Sequence, residues 1–589
     1  MRLSQNQIVS FILVPFTLFV FGVVVYFNSL SASFHADDAF HIISNPLTRH
    51  ADEPLLIWNS IAQRTYFVTY YTFALNYAVH QLDVAGYHWV NLWLHIGTAA
   101  AVFWLTRITV SLSRQCDLWK ASEKFWMSFL TALIFLLHPV QTEAVNYISQ
   151  RSVCLGALLY ILTVCLYMQG RLGGRFSILC FAGSILCLLL GMLTHPMVFT
   201  LPLMIFLIEG VFFKNFMIKE GTGTVLGYAL VMLLLTVLFA LSLSGGVNAL
   251  SPVMSQSHEG DQITWMSYLL TQVKVVGTYL KIFVWPFGQN FDYDVPMAIS
   301  ILNIRMGITL LLGAVIIFML LKQIQSKDFL FVAVSWFFLG LWGGSGMHPQ
   351  EIVMAEHRLY LSVIGLAMLL TVMLFQHIVN KRLRMVVIIA LLTGLSFLTV
   401  QRNRVWVDDF RLWSDVVKKS PNKSRGYVNL AAAFMDRNDH QRAVEYLYKA
   451  LEINPQNLDA YTRLGLISLA QENFDQAKAN FEKAIAIDNT RAFPFNNLGV
   501  VYLLQEEYHK AEEAFNQALV NKPSLLEPRL NLIRIYKARK EYDKALNQYK
   551  RLAILYPDNR QVLSGLAELY SLIGEDDKAA QVTELLEKR

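Results

Sequence analysis

The sequence predicts an all-α protein in two parts: a polytopic membrane helical bundle of about 11 spans, then an α-solenoid of short helical repeats. Three observations predict it. The chain is 55% hydrophobic and only 16% charged, with a mean hydropathy of +0.41, far from soluble averages. The apolar content is concentrated before residue 400, where long apolar runs alternate with short loops. Beyond Arg402 the chain turns charged, rich in Ala, Leu and Tyr, and periodic. The net charge of +6 is small for 589 residues and sits largely in the loops, so it argues for no nucleic-acid partner.

Windows of about 20 residues place spans near 8–30, 88–106, 125–139, 153–169, 176–192, 197–213, 224–244, 299–321, 329–344, 359–378 and 385–401. Alternate loops carry the cations: Arg107, Arg114, Lys120 and Lys124, then Arg171 and Arg175, Lys214 and Lys219, Lys322 and Lys327, and Lys381, Arg382 and Arg384. Positive charge is retained on the cytoplasmic side, so the N-terminus is expected inside and the periodic half outside. The first apolar run lacks a convincing small-residue cleavage site and reads as a retained signal-anchor. The stretch from Trp265 to Trp285 sets Thr271, Lys274, Thr278 and Lys281 on one helical face, with aromatics at its ends, and reads as an interfacial helix. Thr65 to Gln81 is a second candidate of that kind. None of the five cysteines lies in the periodic half, so no disulfide framework is expected.

The periodic half keeps a strict interval. Leu430, Leu464, Leu498, Leu532 and Leu566 are 34 residues apart, as are Ala443, Ala477, Ala511, Ala545 and Ala579. Leu447, Phe481, Phe515 and Tyr549 follow the alanines by four, and Pro421, Pro455, Pro523 and Pro557 mark the ends. Small Ala at a helix crossing, a bulky residue one turn on and a terminal Pro are the tetratricopeptide pattern, about five helix pairs here. The expected domains are residues 1–402 for the membrane part, 403–422 as a linker helix and 423–589 as the repeats. Such a surface suits an extended peptide or partner protein.

Polar groups beside membrane spans are costly and so mark function. They recur on the expected outer side: Asp37 and Asp38; His138, Glu143 and Arg151 in "HPVQTEAVNYISQRS"; His195; Asp292 and Asp294; and His348, Glu356, His357, Arg358 and Tyr360. His348, Glu356, His357, Asp292 and Asp294 include metal-ligand types, but their spacing fits no specific metal motif, so no cofactor is expected and a divalent metal is not indicated.

At these residues the chain resembles the transmembrane and tetratricopeptide-repeat protein O-mannosyltransferases and their bacterial relatives, within the C-type glycosyltransferase superfold. The likeness runs through "DDAFHIISNPL", "LNYAVHQLDVAGYHWVNLWLH", "HPVQTEAVNYISQRS", "THPMVFTLPLMIFLIE", "YLLTQVKVVGTYLKIFVWPFGQNFDYDVP" and "AEHRLYLSVIGL". It implies a polyprenyl-phosphate-linked sugar donor, inversion at the anomeric carbon, and an exported protein or peptide as acceptor. The short loops and the closer match to bacterial relatives imply a bacterial inner membrane. Two positions depart from the pattern. Thr194-His195-Pro196 stands where bacterial relatives commonly read Ser-Lys-Pro, and Tyr66-Phe67 where they often read Arg-Pro.

The implied chemistry needs one general base, because the acceptor hydroxyl loses a proton while a phosphate, already a weak base, departs. Asp37 and Asp38 are the candidates, although Asp at this place also suits the N-cap of a helix starting near Ala39. The leaving phosphate calls for a guanidinium: Arg358 first, with Tyr360 beside it, then Arg151. Glu143, His195, His357 and Glu356 complete the expected substrate-binding set, with Glu143 alternatively a structural partner of Arg151. Two other readings stay open: transfer to a polysaccharide or lipid, and a non-catalytic membrane scaffold with a degenerate transferase fold.

Overall fold

The structure, a computed structural model, describes residues 5–60, 64–117, 119–213, 264–297, 329–345, 350, 352–557 and 559–587. Two expected spans, 224–244 and 299–321, lie outside these residues. The described residues are helical with no strand, and the chain divides into two compact units, Met1–Ser420 and Pro421–Arg589.

In the first unit the principal helices are α1 (Gln5–Tyr26), α2 (Phe67–His80), α3 (Val84–Leu112), α4 (Ala121–Leu137), α5 (Arg151–Arg171), α6 (Ser177–Met192), α7 (Leu201–Ile208), α8 (Trp265–Val284), α9 (Phe329–Ser345), α10 (Val363–His377), α11 (Lys381–Asn403) and α12 (Asp409–Lys419). The last occupies the stretch read as a linker helix and belongs to the first unit. Hydrogen bonds fix two ends of the bundle. Phe329 N–H donates to Ser113 Oγ (3.2 Å) at one end, where the basic loops at 107–124 and 381–384 meet. At the other, Thr399 Oγ1 donates to the Leu137 carbonyl (2.7 Å) and Asn28 Nδ2 to that of Val400 (3.0 Å). The ends of α1, α4 and α11 and the start of α5 meet there. The core between them is apolar, with Phe135, Tyr160 and Trp336 fully buried. Small residues let helices cross closely: a Cβ on Gly365 would lie 2.2 Å from the Ala333 carbonyl oxygen.

Large apolar side chains stay exposed along α1 (Phe16, Val24), α6 (Ile178, Leu179) and α11 (Val386, Ile389, Phe397). Such continuous apolar faces fit a bilayer rather than water. By length and composition four described segments can cross a membrane: Ile12–Ser29, Ile148–Arg171, Pro196–Phe213 and Lys381–Trp406. A fifth is the pair Ala121–Leu137 and Pro139–Asn146, bent by 52° at His138–Pro139. Nine of the eleven expected spans fall on described residues, so fewer of them than expected pass by length and composition. One reason is length, since the 15 residues of α10 rise only about 22 Å against roughly 30 Å of hydrocarbon. A second is polarity, since α3 buries His88, Asn91 and His95.

The second unit is five helix pairs starting at Ser424, Leu458, Ala492, Leu526 and Arg560, the expected 34-residue register. All five crossing alanines are buried, as are Leu447, Phe481, Phe515 and Tyr549 beside them. The turn inside each pair is also periodic. Asn438, Glu472, Glu506, Lys540 and Gly574 all have φ between 58° and 78°. The next residue's N–H then reaches back to the carbonyl of Phe434, Ser468, Tyr502, Tyr536 or Tyr570 at 2.8–2.9 Å. This is the left-handed helix stop that glycine adopts most easily, and four of the five turns accept it without one.

Candidate active site at one end of the helical bundle

The segment from His138 to Arg151 organises the polar end of the bundle. It leaves α4 at a proline, where no regular helix can continue, and so points successive side chains at different neighbours. Glu143, Asn146, Tyr147, Ser149 and Arg151 each tie down another part of the chain.

Ser149 and Tyr147 hold the acidic couple. Asp38 is fully buried: its Oδ1 accepts from Ser149 N–H (2.7 Å) and the Ser149 hydroxyl, its Oδ2 from His35 N–H (3.0 Å). Burial pushes its carboxyl up to about 6 against the opposing pull of those bonds. Asp37 is exposed, and its backbone N–H donates to Tyr147 Oη (3.0 Å). The preceding Ala36 has φ 42°, a left-handed conformation that costs an L-residue roughly 1–2 kcal/mol and is retained where the surroundings demand it. The helical turn Ala39–Ile43 follows, and Asp38 makes no capping hydrogen bond to it. The two aspartates are therefore divided in kind, Asp38 an anchor and Asp37 a presented carboxylate.

His35 carries the anchor further. Its Nδ1 meets Asp409 Oδ1 and its Nε2 the Trp406 carbonyl, both at 2.6 Å. Two acceptors on opposite ring nitrogens require both to carry protons. Burial works against that charge, but the Asp409 contact outweighs it and raises the His35 pKa above its ordinary value. Both raised groups, Asp38 and His35, stabilise the folded loop below their unfolded values and lose that contribution as pH climbs through the folded ones. Asp38 loses it between its ordinary 3.8 and about 6 and His35 from its ordinary 6.5 upward, so hydrogen exchange in residues 33–43 should speed up above about pH 6.5 beyond its chemical pH dependence. His35→Gln should flatten that excess; an unchanged profile in the variant would remove His35 from the anchor.

Glu143 does not pair with Arg151. Its Oε2 accepts from Glu356 N–H (2.8 Å) and His357 N–H (3.2 Å), and its Oε1 lies 2.6 Å from His357 Nδ1. Glu356 is itself buried, taking Asn290 N–H and Tyr293 Oη on one oxygen and Gln289 Nε2 on the other, all at 2.7 Å. Burial pushes it up to about 7 despite Arg402, with Glu143 adding to the rise. With these donors in place neither glutamate is presented for a metal; His348 lies outside the described residues.

Arg358 donates to the carbonyls of Val353 (3.1 Å) and Ile352 (2.6 Å) and to the Gln350 side chain, which folds the loop around its guanidinium. Arg151 is fully buried and engaged: Nε to Asn91 Oδ1 (2.8 Å), Nη2 to Asn76 Oδ1 (2.7 Å) and the Tyr87 carbonyl (3.2 Å), Nη1 to the Thr72 carbonyl (3.2 Å), with the Phe73 ring 4.6 Å away. It serves as the rivet between α2, α3 and α5, with no face turned to a ligand. Tyr360, expected beside Arg358 at the surface, is buried in the core with its Oη 2.8 Å from His95 Nδ1. One helical turn at Glu356–Leu359 turns it inward.

His195 accepts Met197 N–H at Nδ1 (3.1 Å), and burial, with His357 nearby, pushes its pKa down to about 3, so it stands neutral. Its ring meets Tyr66 edge-on at 5.9 Å. The two departures from the relatives' cationic pattern are thus neighbours in space. Sequence reasoning did not single out His35, Tyr147, Ser149 or Asn91. Tyr147 and Ser149 stood inside a quoted motif, but their partners are about 110 residues distant.

A helical membrane unit with one carboxylate presented from an anchored loop, joined to tetratricopeptide repeats, is the class defined so far. Family profiles described as tetratricopeptide repeat match residues 424–457, 456–521 and 530–588. The chain is 22% identical over 449 residues to the protein O-mannosyl-transferase F38B6.6 of Caenorhabditis elegans, covering 74% of this chain and 62% of that one. To protein O-mannosyl-transferase TMTC1 of Homo sapiens it is 24% identical over 528 residues, covering 75% and 55%. The chain thus spans roughly half to three-fifths of these relatives' length. Among solved structures, Pseudomonas Aeruginosa pilF aligns at 20% identity and a TM-score of 0.28, over 32% of this chain and 83% of its own. The likeness is to the TMTC protein O-mannosyl-transferases, as the motifs implied.

Proposed function

We propose that the chain is an inverting membrane glycosyltransferase that moves a mannose or other hexose from a polyprenyl-phosphate donor to Ser or Thr of exported proteins. The observation that carries the reading is the pairing of an exposed Asp37 with a buried, triply hydrogen-bonded Asp38 on one strained loop, in a chain similar to protein O-mannosyl-transferases. The acceptor hydroxyl gives its proton to the Asp37 carboxylate as its oxygen bonds to the anomeric carbon. The bond from that carbon to the phosphate oxygen breaks, and the phosphate leaves with the electron pair. No acid is needed for such a leaving group, unlike the second carboxylate of a glycosidase. Arg358 supplies positive charge towards the phosphate, with Glu143 fixing His357 and the loop beside it.

The repeats hold the acceptor and so raise its local concentration at the membrane unit. The topology that goes with this reading is a cytoplasmic N-terminus and an extracytoplasmic repeat unit in a bacterial inner membrane, supported by the alternation of the basic loops. The test is transfer by the purified full chain from polyprenyl-phosphate mannose and glucose to a Ser/Thr peptide, read by mass spectrometry. Glycosylated peptide is the expected product. No product from any polyprenyl-phosphate hexose would favour the scaffold.

A further inference from the structure

A second polar cleft lies in the bundle, at the end opposite Asp37. A cleft of about 420 Å³ opens between the loop joining α3 to α4 and the turn joining α10 to α11. Gln115, Trp119 and Glu123 line one side, Val379, Lys381 and Arg384 the other. We propose that this cleft binds the phosphodiester headgroup of an anionic membrane lipid.

Charge is the first argument. Lys381 is exposed with no ion-pair partner among the described residues. Arg384 is held over the Phe375 ring at 4.3 Å, and its hydrogen bonds to the Phe375 carbonyl and Glu123 Oε1 are long, both 3.4 Å. One guanidinium and one ammonium thus face one carboxylate, and Arg382 and Lys120 stand beside them in sequence. The start of α11 adds a helix N-terminus, whose first free N–H groups are met by Asn380 Oδ1 at 3.0 and 3.2 Å and leave the positive dipole end facing the same cations. Arg384 offers planar donors for phosphate oxygens, Lys381 a mobile point charge.

The surroundings argue for a lipid rather than a free phosphate. Val379 at the rim is 82% exposed, and Leu383, Val386 and Ile389 continue an exposed apolar face along α11. A cationic cleft with an apolar track running from it matches a headgroup with its acyl chain laid along the helix.

The test uses the full chain purified in detergent and reconstituted with phosphatidylglycerol or phosphatidylcholine, with bound lipid counted by native mass spectrometry. Phosphatidylglycerol should be retained preferentially, and the pair Lys381→Ala with Arg384→Gln should weaken that retention about tenfold or more. Lys381→Ala alone, at an exposed position, should weaken it in part without altering the fold. Arg404→Gln, an exposed cation at the far end of α11, should change nothing. Equal retention of both lipids, or unaltered retention by the double variant, would overturn the proposal. Displacement by inorganic phosphate at the same concentration as by the lipid would also overturn it, in favour of a free phosphate site.

Discussion

Asp37→Asn should reduce transfer by about 10² to 10⁴, the range general-base catalysis supplies, and leave the fold unchanged. The size is preserved and the ability to take a proton is lost. Asp37 is exposed, and its loop is tied down by its backbone N–H on Tyr147 and by the neighbouring Asp38, none of which the substitution removes. The thermal midpoint should stay near that of the parent, since exposed substitutions usually fall within about 0.5 kcal/mol. Asp38→Asn should behave differently. Its amide would turn a donor towards either His35 N–H or the two Ser149 donors, so the loop should loosen and midpoint and rate should fall together. Measuring both quantities for both variants separates proton acceptance from anchoring. Full activity in Asp37→Asn would move the base elsewhere. A loss of rate in Asp38→Asn with an unshifted midpoint would give Asp38 the role assigned here to Asp37.

The repeats were legible in the sequence to the residue, because a solenoid repeats its own local contacts and the 34-residue interval of leucines and alanines is the fold's own period. The membrane unit was legible as helical, and among the described residues the basic loops at 107–124 and 381–384 meet at one end while Asp38 and Glu143 sit at the other. Among the described residues the span count matches less well, because polar residues buried inside α3 and the short helices α6, α9 and α10 break the link between hydropathy and crossing. The candidate site was legible as a set of residues and illegible as an arrangement. Asp37 and Asp38 look equivalent side by side. What distinguishes them is Ser149, 111 residues away, and His35 with its distant Asp409. Arg358 and Arg151 likewise read as first and second choice for one role, two guanidinium groups near span ends. Burial against asparagines and carbonyls from two other helices is a tertiary property that neither arginine carries in its local sequence.

That difference between the arginines yields the second large effect. Arg151→Ala should cost about 4 kcal/mol or more in stability, enough to deplete folded protein from a domain of ordinary stability. The side chain is fully buried, and its removal strands the buried Asn91 Oδ1 and Asn76 Oδ1 and leaves a cavity beside Phe73. Arg151→Lys should recover part of the loss through one of the two asparagines, since a single ammonium cannot span the fork that a guanidinium fills. Arg358→Ala should do the reverse. Three of its partners, Gln350, Ile352 and Val353, lie in its own loop and Tyr268 of α8 is the fourth, so most of the bundle should persist while the loop and the charge near the leaving phosphate are lost. The comparison is yield and thermal midpoint against transfer rate for the three variants, each purified as the full chain. If Arg151→Ala kept the parent's midpoint and lost transfer, the guanidinium would be reaching a ligand after all. If Arg358→Ala unfolded the protein, its loop would be part of the scaffold and the phosphate contact would have to come from another cation at this end of the bundle.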